Sequence, residues 1–301
     1  MKQPSLAIKP GLHILNNLIL HGSNKLKIAD NIEHVTVDTY TLPPHNKTNC
    51  YVIGEDSDAI LIDAICHGGN EVNSCLTDNS IRSIKYSAIT HRHPDHYSGL
   101  DRILSDFGGK ALCHSDTAAY LTTQIINPDD TAVFSGDETL HIAGNTIQVL
   151  HTPGHFTGHL CFYLKEQKIL FSGDTILGRG TTIISPPEGD MTAYLNTLNM
   201  LSAMDIDIIC PGHGPIIRGY AREVIQWYIE HRMMREQRII SALKLGLNTI
   251  PKIAEKVYTK EDFLMHGYDL IPRAERVILA HLLKLENENL VTKHNSQYFL
   301  A

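Results

Sequence analysis

Thr90-His91-Arg92-His93-Pro94-Asp95-His96 is the stretch of this 301-residue chain that best indicates its fold. Four of these residues carry imidazole or carboxylate groups, which are ligand types that suit zinc, with iron or manganese as alternatives. His91 and His93 lie two residues apart in an extended segment, so their side chains point the same way and can share one ion. Asp95 and His96 follow a proline, where the chain turns, and would face a second position. The stretch therefore predicts the nucleus of a two-metal site.

A metal site has to be weighed against ordinary packing, because the chain contains 18 histidines. Scattered histidines such as His13 and His21 are more often surface or core residues than metal ligands. The stretch at 90–96 differs, since it follows the apolar run 84–89 and crowds polar and ionisable groups together. Burying such groups is costly unless a metal or other partners satisfy them. The spacing of the residues at 90–96 and the cost of burying them together favour their interpretation as metal ligands.

The composition is that of an ordinary globular protein, with 43% hydrophobic and 20% charged residues. The length allows one large or two ordinary domains with a sizeable core. The net charge of −7 argues against a protein whose whole surface grips nucleic acid, although a local basic patch is compatible with it.

Cysteine usage and the N-terminus bear on location. The six cysteines form no Cys-x-x-Cys pair, which favours buried reduced thiols over a disulfide framework. They are Cys50, Cys66, Cys75, Cys113, Cys161 and Cys210. Residues 1–10 show no clear import signal, so we predict a cytoplasmic protein, with the mitochondrial matrix as the alternative. No apolar run reaches the ~18 residues of a transmembrane helix, so no membrane span is predicted.

Short β-type runs separated by turn residues predict strands from residue 32 onward. The predicted strands are 34–40, 50–54, 59–63, 84–90, 111–114, 146–150, 160–164 and 169–171, with helices at 71–76, 99–107 and 117–126. Three later loops carry a further ligand-type residue just after a β-type run, namely His155, Asp174 and His213. Glycine and proline beside each allow the backbone to bend tightly. Ligands from several strand ends can thus meet at one edge of a layered sheet.

The motifs T-H-x-H-x-D-H, H-T-P-G-H, S-G-D and P-G-H-G, in this order, resemble those of the metallo-β-lactamase superfamily of binuclear metallohydrolases. Residues 48–54 and 61–63 also resemble its opening strands, so the likeness covers roughly 35–215. The resemblance implies an α/β fold, an αββα sandwich in which two β-sheets lie face to face with helices outside. It also implies two divalent metal ions, zinc or alternatively iron or manganese, at one edge of the strands.

The resemblance assigns roles residue by residue. His91, His93 and His155 would hold the first ion, and Asp95, His96 and His213 the second, with Asp174 bridging both. Asp95 is also the predicted catalytic residue, because it would orient the attacking hydroxide and accept its proton. Attack by metal-bound hydroxide fits the absence of a G-x-S-x-G element for a serine nucleophile.

Departures from the family pattern put the substrate in doubt and leave the ligands unchanged. Ser98-Gly99 stands where many relatives have a double glycine, and Phe156-Thr157 replaces the commoner Ser-Pro. Arg92 and Arg179 flank ligand loops and are predicted to be solvated, with neutralisation of an anionic substrate as the alternative.

Other histidines near the motifs are predicted to support the site. His151 and His159 are predicted to be core or supporting groups, because the seven named residues already fill two coordination spheres. His45, His67 and His114 are candidates for pocket lining on proximity alone.

From residue 220 the pattern changes to helices. Helices are predicted at 220–245, 250–258 and 272–286, followed by β-type runs at 290–293 and 297–300. This order predicts a small winged-helix-like domain at 223–301, after an N-terminal extension at 1–31 and a catalytic domain at 32–222. Arg232, Arg235 and Arg238 recur on one helical face, where they would contact phosphate or form a solvated flank.

Residues 231–236 and 274–286, together with the core, resemble the beta-lactamase-like protein 2 family. The resemblance implies a metal-dependent endoribonuclease that cleaves single-stranded RNA. Glyoxalase-type and polyketide-releasing thioesterases are also close relatives of the core, so a hydrolase of small-molecule esters or thioesters is the alternative. A nucleic-acid-binding protein with structural metals is a third hypothesis, disfavoured because structural sites are closed. The oligomeric state is left open.

Overall fold

Two β-sheets lie face to face in the computed structural model, which describes residues 25–41, 45–65, 69–258 and 271–301. Residues 1–24 of the predicted N-terminal extension, and also Cys66 and His67, lie outside the described residues. The other five cysteines are buried free thiols, which confirms the prediction for these five. The predicted cellular compartment stays a prediction.

The first sheet has seven strands that pair in chain order. They are β1 Lys25–Ala29, β2 Ile32–Asp38, β3 Lys47–Glu55, β4 Asp58–Ile62, β5 Tyr86–Ala88, β6 Lys110–His114 and β7 Thr131–Phe134. Strands β1 to β4 are antiparallel, whereas β4 to β7 are parallel. The parallel strands bring the loops after β4 and β5 to the same edge.

The second sheet has six strands in the order β8 to β13. They are β8 Thr139–Ile142, β9 Asn145–His151, β10 Leu160–Leu164, β11 Ile169–Gly173, β12 Ile208–Pro211 and β13 Ile217–Arg218. All neighbouring pairs are antiparallel except β11 and β12. Strands β9, β11 and β12 therefore run in one direction, and their carboxyl ends share an edge.

Strands β3, β4, β10 and β11 contain continuous runs of buried residues, because both of their faces are covered. In β3, Tyr51 and Ile53 point between the sheets, whereas Cys50 and Val52 point towards the outer helices. Strand β10 alternates in the same way. Each large apolar side chain buried in this manner contributes roughly 1.5–3 kcal/mol.

Helices cover the outer faces of both sheets. The helices of the described residues are α1 Glu71–Asp78, α2 Pro94–Tyr97, α3 Leu100–Phe107, α4 Ser115–Gln124, α5 Met191–Ser202, α6 Ala221–Lys244, α7 Ile250–Val257 and α8 Ile271–Asn287. Helices α1, α3 and α4 pack on the first sheet, and α5 with the first half of α6 packs on the second. This four-layer arrangement confirms the predicted αββα sandwich. None of the described helices is long and apolar enough to cross a membrane.

Helix α6 joins the sandwich to the C-terminal segment. Val224 and Tyr228, near its start, belong to the sandwich core, whereas Ile239 and Leu243 belong to a separate apolar cluster with α7 and α8. That cluster also contains residues of the ribbon formed by β14 Val291–His294 and β15 Gln297–Leu300. Among the described residues of this segment, which exclude 259–270, the predicted order of three helices and a ribbon is confirmed. The winged-helix classification and the boundary at 222/223 stay predictions.

The expectation that Arg232 and Arg235 lie on an exposed face is wrong. Their side chains are only 2% and 5% exposed. The guanidinium of Arg232 donates to the Thr182 carbonyl, and that of Arg235 donates to the Val257 carbonyl at 3.2 Å. Helical spacing put both residues on one face, but it did not reveal that other segments cover this face.

Candidate metal centre

Strand ends deliver the candidate ligands to one edge of the sandwich. The stretch 91–96 follows β5, His155 lies between β9 and β10, Asp174 follows β11 and His213 follows β12. The two sheets are joined at this edge, because the Leu160 amide donates to the Thr90 carbonyl at 2.8 Å. The edge therefore gathers loops that are far apart in the sequence.

Two glycines allow the loops to approach closely. Gly173 has φ +47°, and a Cβ added there would lie 2.7 Å from His159 Nε2. A Cβ on Gly212 would lie 2.7 Å from Asp174 Oδ1 and 2.8 Å from His96 Cε1. A side chain at Gly173 would therefore displace the supporting residue His159, and one at Gly212 would displace the candidate ligands Asp174 and His96.

Three histidine nitrogens form the first ligand group. His93 Nδ1 lies 2.8 Å from His91 Nε2 and 3.1 Å from His155 Nε2. All three residues fall within one cluster of potential metal-binding atoms. The structure thus brings together the three side chains predicted for the first ion.

The second group surrounds one carboxylate. Asp174 Oδ1 lies 3.4 Å from His213 Nε2 and 3.5 Å from His96 Nε2, and Asp95 Oδ2 lies 3.4 Å from His213 Nε2. The other oxygen, Asp174 Oδ2, lies 3.8 Å from His155 Nε2. Asp174 therefore faces both groups, and all seven predicted ligands meet at one place. Their assignment as ligands stays a proposal.

Buried polar atoms without partners test whether a metal fits. His96 Nε2, His213 Nε2 and Asp174 Oδ1 are buried and have no hydrogen-bond partner in the described structure. Each unsatisfied buried group costs about 1–3 kcal/mol. Two ligands held ~2.0–2.1 Å from a tetrahedral zinc ion are roughly 3.3 Å apart, close to the separations observed here. The donor set and its spacing fit divalent ions.

In four of the five candidate histidine ligands, the second ring nitrogen contacts another protein group at hydrogen-bonding distance. His96 Nδ1 lies 2.7 Å from Asp63 Oδ2, and His155 Nδ1 lies 2.8 Å from the Ile183 carbonyl. His213 Nδ1 lies 2.8 Å from the Lys47 carbonyl, and His91 Nδ1 lies 3.1 Å from Thr90 Oγ1. Such contacts fix the tautomer and orientation of a ligating histidine. His93 Nε2 lies 3.8 Å from Glu188 Oε2, beyond hydrogen-bonding distance.

Burial keeps the first histidine group neutral. It lowers the pKa of His91 well below its usual value, that of His93 to about 4, and also that of His155. Neutral imidazoles at neutral pH are the form that binds metals. The first group is therefore ready to donate lone pairs.

The second group attracts positive charge. Burial acts to lower the pKa of His96, but the carboxylates of Asp63, Asp174 and Asp95 outweigh burial and raise it to about 10. Burial acts to raise the pKa of Asp174, but the histidines around it bring this pKa down to about 2. The carboxylates therefore stay ionised and favour a cation between them.

Sequence reasoning missed two supporting carboxylates. Asp63 is fully buried and, besides contacting His96, accepts hydrogen bonds from the Thr90 amide at 2.9 Å and hydroxyl at 3.1 Å. An aspartate at the end of an apolar strand was the available signal. Glu188 lies beside His93 through loop packing, for which the sequence holds no local signal.

The remaining histidines play different parts. His159 is buried, accepts a hydrogen bond from the Asp174 amide at 3.1 Å and contacts Thr152 Oγ1 at 2.8 Å, as expected of a supporting group. His45 stacks on His213 with ring centroids 5.2 Å apart, so it lines the site. His114 instead stacks on His151 at 4.7 Å.

Arg92 is held by protein groups. Its guanidinium pairs with Glu188 and lies 5.0 Å from the centroid of the Phe156 ring and 5.3 Å from that of Tyr120. The expectation that Arg92 is solvated is therefore wrong, because loop packing half-buries it. Arg179 is exposed, in line with the expectation.

Residues 44–213 match the family model described as the metallo-beta-lactamase superfamily. The chain is 34% identical over 202 residues to a Caenorhabditis elegans protein named beta-lactamase-like protein 2 homolog, covering 65% of each chain. It is 31% identical over 260 residues to a Drosophila melanogaster protein of the same name, covering 80% of this chain and 82% of that one. It is also 31% identical to an Aspergillus chevalieri atrochrysone carboxyl ACP thioesterase, covering 65% of this chain and 60% of that one. The chain spans 60 to 65% of the length of the first curated relatives.

Solved structures resemble the fold over nearly the whole chain. A metallo-beta-lactamase family protein from Thermus thermophilus has a TM-score of 0.72 at 20% identity, covering 91% of this chain and 100% of that one. A beta-lactamase domain protein from Burkholderia ambifaria has a TM-score of 0.76 at 16% identity, covering 95% of this chain and 96% of that one. At this coverage, the likeness in fold extends into the C-terminal helices.

Proposed function

This chain belongs to the metallo-beta-lactamase superfamily and, within it, to the beta-lactamase-like protein 2 family, and we propose that it is a binuclear hydrolase that cleaves phosphodiester bonds of single-stranded RNA. That it is a hydrolase follows from the superfamily and from relatives named as thioesterases. The alternative of a purely nucleic-acid-binding protein is therefore set aside. The RNA substrate and the use of two ions are the proposal.

The meeting of seven ligand-type side chains, in which Asp174 faces both groups, is the observation that carries the proposal. His91, His93 and His155 would hold one ion, and Asp95, His96 and His213 the other, with Asp174 between them. Two divalent ions bound there would supply Lewis acidity and lower the pKa of a bound water to about 7.

Asp95 orients the attacking water in this proposal. Its Oδ2 lies 3.4 Å from His213 Nε2, and the contacts with His213 and His96 outweigh burial and hold its pKa well below the usual range. The carboxylate is therefore ionised and accepts hydrogen bonds. A general base works best when its pKa is near the working pH, so this environment favours orientation over proton acceptance.

The choice of RNA rests on family membership, and the thioester alternative rests on a separate observation. Two relatives are named beta-lactamase-like protein 2 homologs, whereas others of about 30% identity are named as thioesterases. Both substrate classes develop negative charge on oxygen during hydrolysis, which a bimetallic site stabilises. Direct comparison of the two substrate classes therefore decides between them.

The test uses the full chain loaded separately with zinc, manganese and iron. Each preparation is given labelled single-stranded RNA, duplex RNA, single-stranded DNA and acyl thioesters, with cleavage followed by gel and by thiol release. We expect cleavage of single-stranded RNA that stops when the metal is removed. Thioester cleavage without RNA cleavage would move the assignment to the alternative.

Variants connect the activity to the site. Asp95→Asn preserves the volume of the side chain but removes the charge that orients the attacking water, so RNA cleavage should fall by about 10²-fold. His141→Ala is the matched control, since His141 is an exposed residue on β8. Equal activity of Asp95→Asn and the wild type would contradict the proposed site.

A further inference from the structure

Arg232 on α6 is a buried charged residue that the proposed chemistry does not use. It is 2% exposed, its Nη2 donates to the Thr182 carbonyl, and its guanidinium lies 5.3 Å from the centroid of the Tyr194 ring. Its Nε is buried without a hydrogen-bond partner, and no carboxylate of the described residues forms an ion pair with the Arg232 guanidinium. Burying an unpaired charge costs several kcal/mol, so packing alone does not account for an arginine here.

The carbonyl that Arg232 holds belongs to the segment that follows Asp174, here named the ligand loop, residues 174–183. Thr182 Oγ1 donates to the Asp174 carbonyl at 2.8 Å and contacts the Thr175 carbonyl at 3.2 Å. The next residue, Ile183, has its carbonyl 2.8 Å from His155 Nδ1. One short stretch therefore touches the backbone of the central carboxylate and the ring of a first-group histidine.

Tyr228 holds the same loop from one helical turn earlier. Its hydroxyl accepts a hydrogen bond from the Leu177 amide at 3.0 Å and donates to the Gly180 carbonyl at 3.1 Å. Residues four apart on a helix lie on the same face, so Tyr228 and Arg232 act together. Helix α6 thus contacts the ligand loop at residues 177, 180 and 182.

We propose that Arg232, assisted by Tyr228, is a positioning residue for the metal centre. By fixing the ligand loop, it sets the place of Asp174 and the orientation of His155. The inference rests on the proposed function in that the site must bind metal, but it does not depend on which bond is cleaved. It makes helix α6 part of the centre, although none of the residues of α6 belongs to the groups of candidate ligands.

The test compares Arg232→Met and Arg232→Lys with the control Arg235→Met in the full chain. Arg235 is also buried on α6, but it donates to Val257 and lies 3.9 Å from the centroid of the Tyr258 ring. The readouts are zinc affinity by competition with a chromophoric chelator, the visible absorption spectrum of the cobalt-loaded protein, and thermal unfolding.

We expect Arg232→Met to bind zinc about 10–100-fold more weakly, with an altered cobalt spectrum, as for other groups that orient ligands. Arg232→Lys should recover part of the affinity, since an ammonium can still donate to the Thr182 carbonyl. Arg235→Met should unfold at a lower temperature yet keep the wild-type affinity and spectrum.

Two results would overturn the inference: wild-type affinity and spectrum in Arg232→Met, or an equal loss in Arg235→Met. If Arg232→Met does not fold, Tyr228→Phe takes its place, and unchanged zinc affinity in that variant is the overturning result. A wild-type protein that binds two ions but cleaves no RNA would contradict only the proposed function, because these readouts measure metal binding.

Discussion

Asp63 Oδ2 lies 2.7 Å from His96 Nδ1, and both side chains are fully buried. A carboxylate only accepts hydrogen bonds when ionised, so this contact keeps a proton of His96 on Nδ1 and holds the ring with its Nε2 facing Asp174. The same carboxylate accepts hydrogen bonds from the amide and hydroxyl of Thr90, which precedes the candidate ligand His91. One buried aspartate therefore orients two parts of the centre.

Replacing Asp63 with asparagine should weaken metal binding without removing a ligand. An amide does not enforce the tautomer of His96, so zinc affinity should fall by roughly 10–100-fold. Chelator competition measures the loss, and metal analysis gives the number of ions retained. Asp129→Asn, at an exposed site, is the control and should bind zinc like the wild type. If both variants bind zinc equally well, Asp63 has no orienting role.

Gly212→Ala should disrupt the centre through one added methyl group. That Cβ would meet Asp174 Oδ1 at 2.7 Å and His96 Cε1 at 2.8 Å, so two candidate ligands must move. We expect the variant to fold but to bind fewer than two ions, as measured by metal analysis after dialysis. Gly144→Ala is the control, because nothing lies within 4 Å of its added Cβ although φ is +76°. It should lose about 1–2 kcal/mol of stability and keep both ions.

Removing metal should lower the unfolding temperature. Zinc that binds the folded chain and not the unfolded chain, at 100 times its dissociation constant, adds about 2.7 kcal/mol to the free energy of unfolding. Calorimetry of chelator-treated and zinc-reloaded protein should therefore show a difference of several degrees. His213→Ala removes a nitrogen that faces the candidate metal centre. In this variant, the unfolding temperatures of the chelator-treated and zinc-reloaded preparations should therefore differ less. Identical unfolding of both wild-type preparations would count against a metal centre.

The ligand motifs were readable from the sequence because each is local. Glycine or proline beside each candidate ligand marks a tight loop, and apolar runs mark the strands before it. Asp63 and Glu188 were missed as supporting groups because their partners, His96 and His93, lie 33 and 95 residues away. Long-range contacts of this kind depend on how loops pack, which a single sequence does not specify.

The sequence predicts the strands and helices well where apolar residues form long regular patterns, and poorly where these patterns span only a few residues. Strand β5 spans Tyr86–Ala88 and not 84–90, because it pairs with β4 and β6 over three residues only. Helix α5 was not predicted, although Met191, Tyr194, Leu195 and Leu198 have helical spacing and Asp190 caps its start. That helix was detectable, whereas the burial of Arg232 was not, since it requires knowing where the ligand loop lies.

Glu138 makes stability depend on pH in the acid range. Burial acts to raise the pKa of Glu138, but the carboxylate accepts hydrogen bonds from the Ser135 and Gly136 amides at 2.7 and 2.8 Å, and these outweigh burial and lower the pKa to about 2. A carboxyl group with a lowered folded-state pKa stabilises the fold above its unfolded-state pKa, near 4.5. That contribution is lost as the pH falls from about 4.5 through about 2.

Glu138→Gln should therefore flatten the pH dependence of stability in that window. The free energy of unfolding is measured with urea at pH 5 and pH 3. Metal-free protein is used so that dissociation of metal in acid does not contribute to the result. The free energy of unfolding should fall more between pH 5 and pH 3 for the wild type than for the variant. The difference in this free energy between the two proteins should therefore be larger at pH 5. Asp137→Asn, at the neighbouring exposed position, is the control and should follow the wild type. Parallel pH curves for the wild type and Glu138→Gln would show that the turn at 135–138 contributes no such linkage.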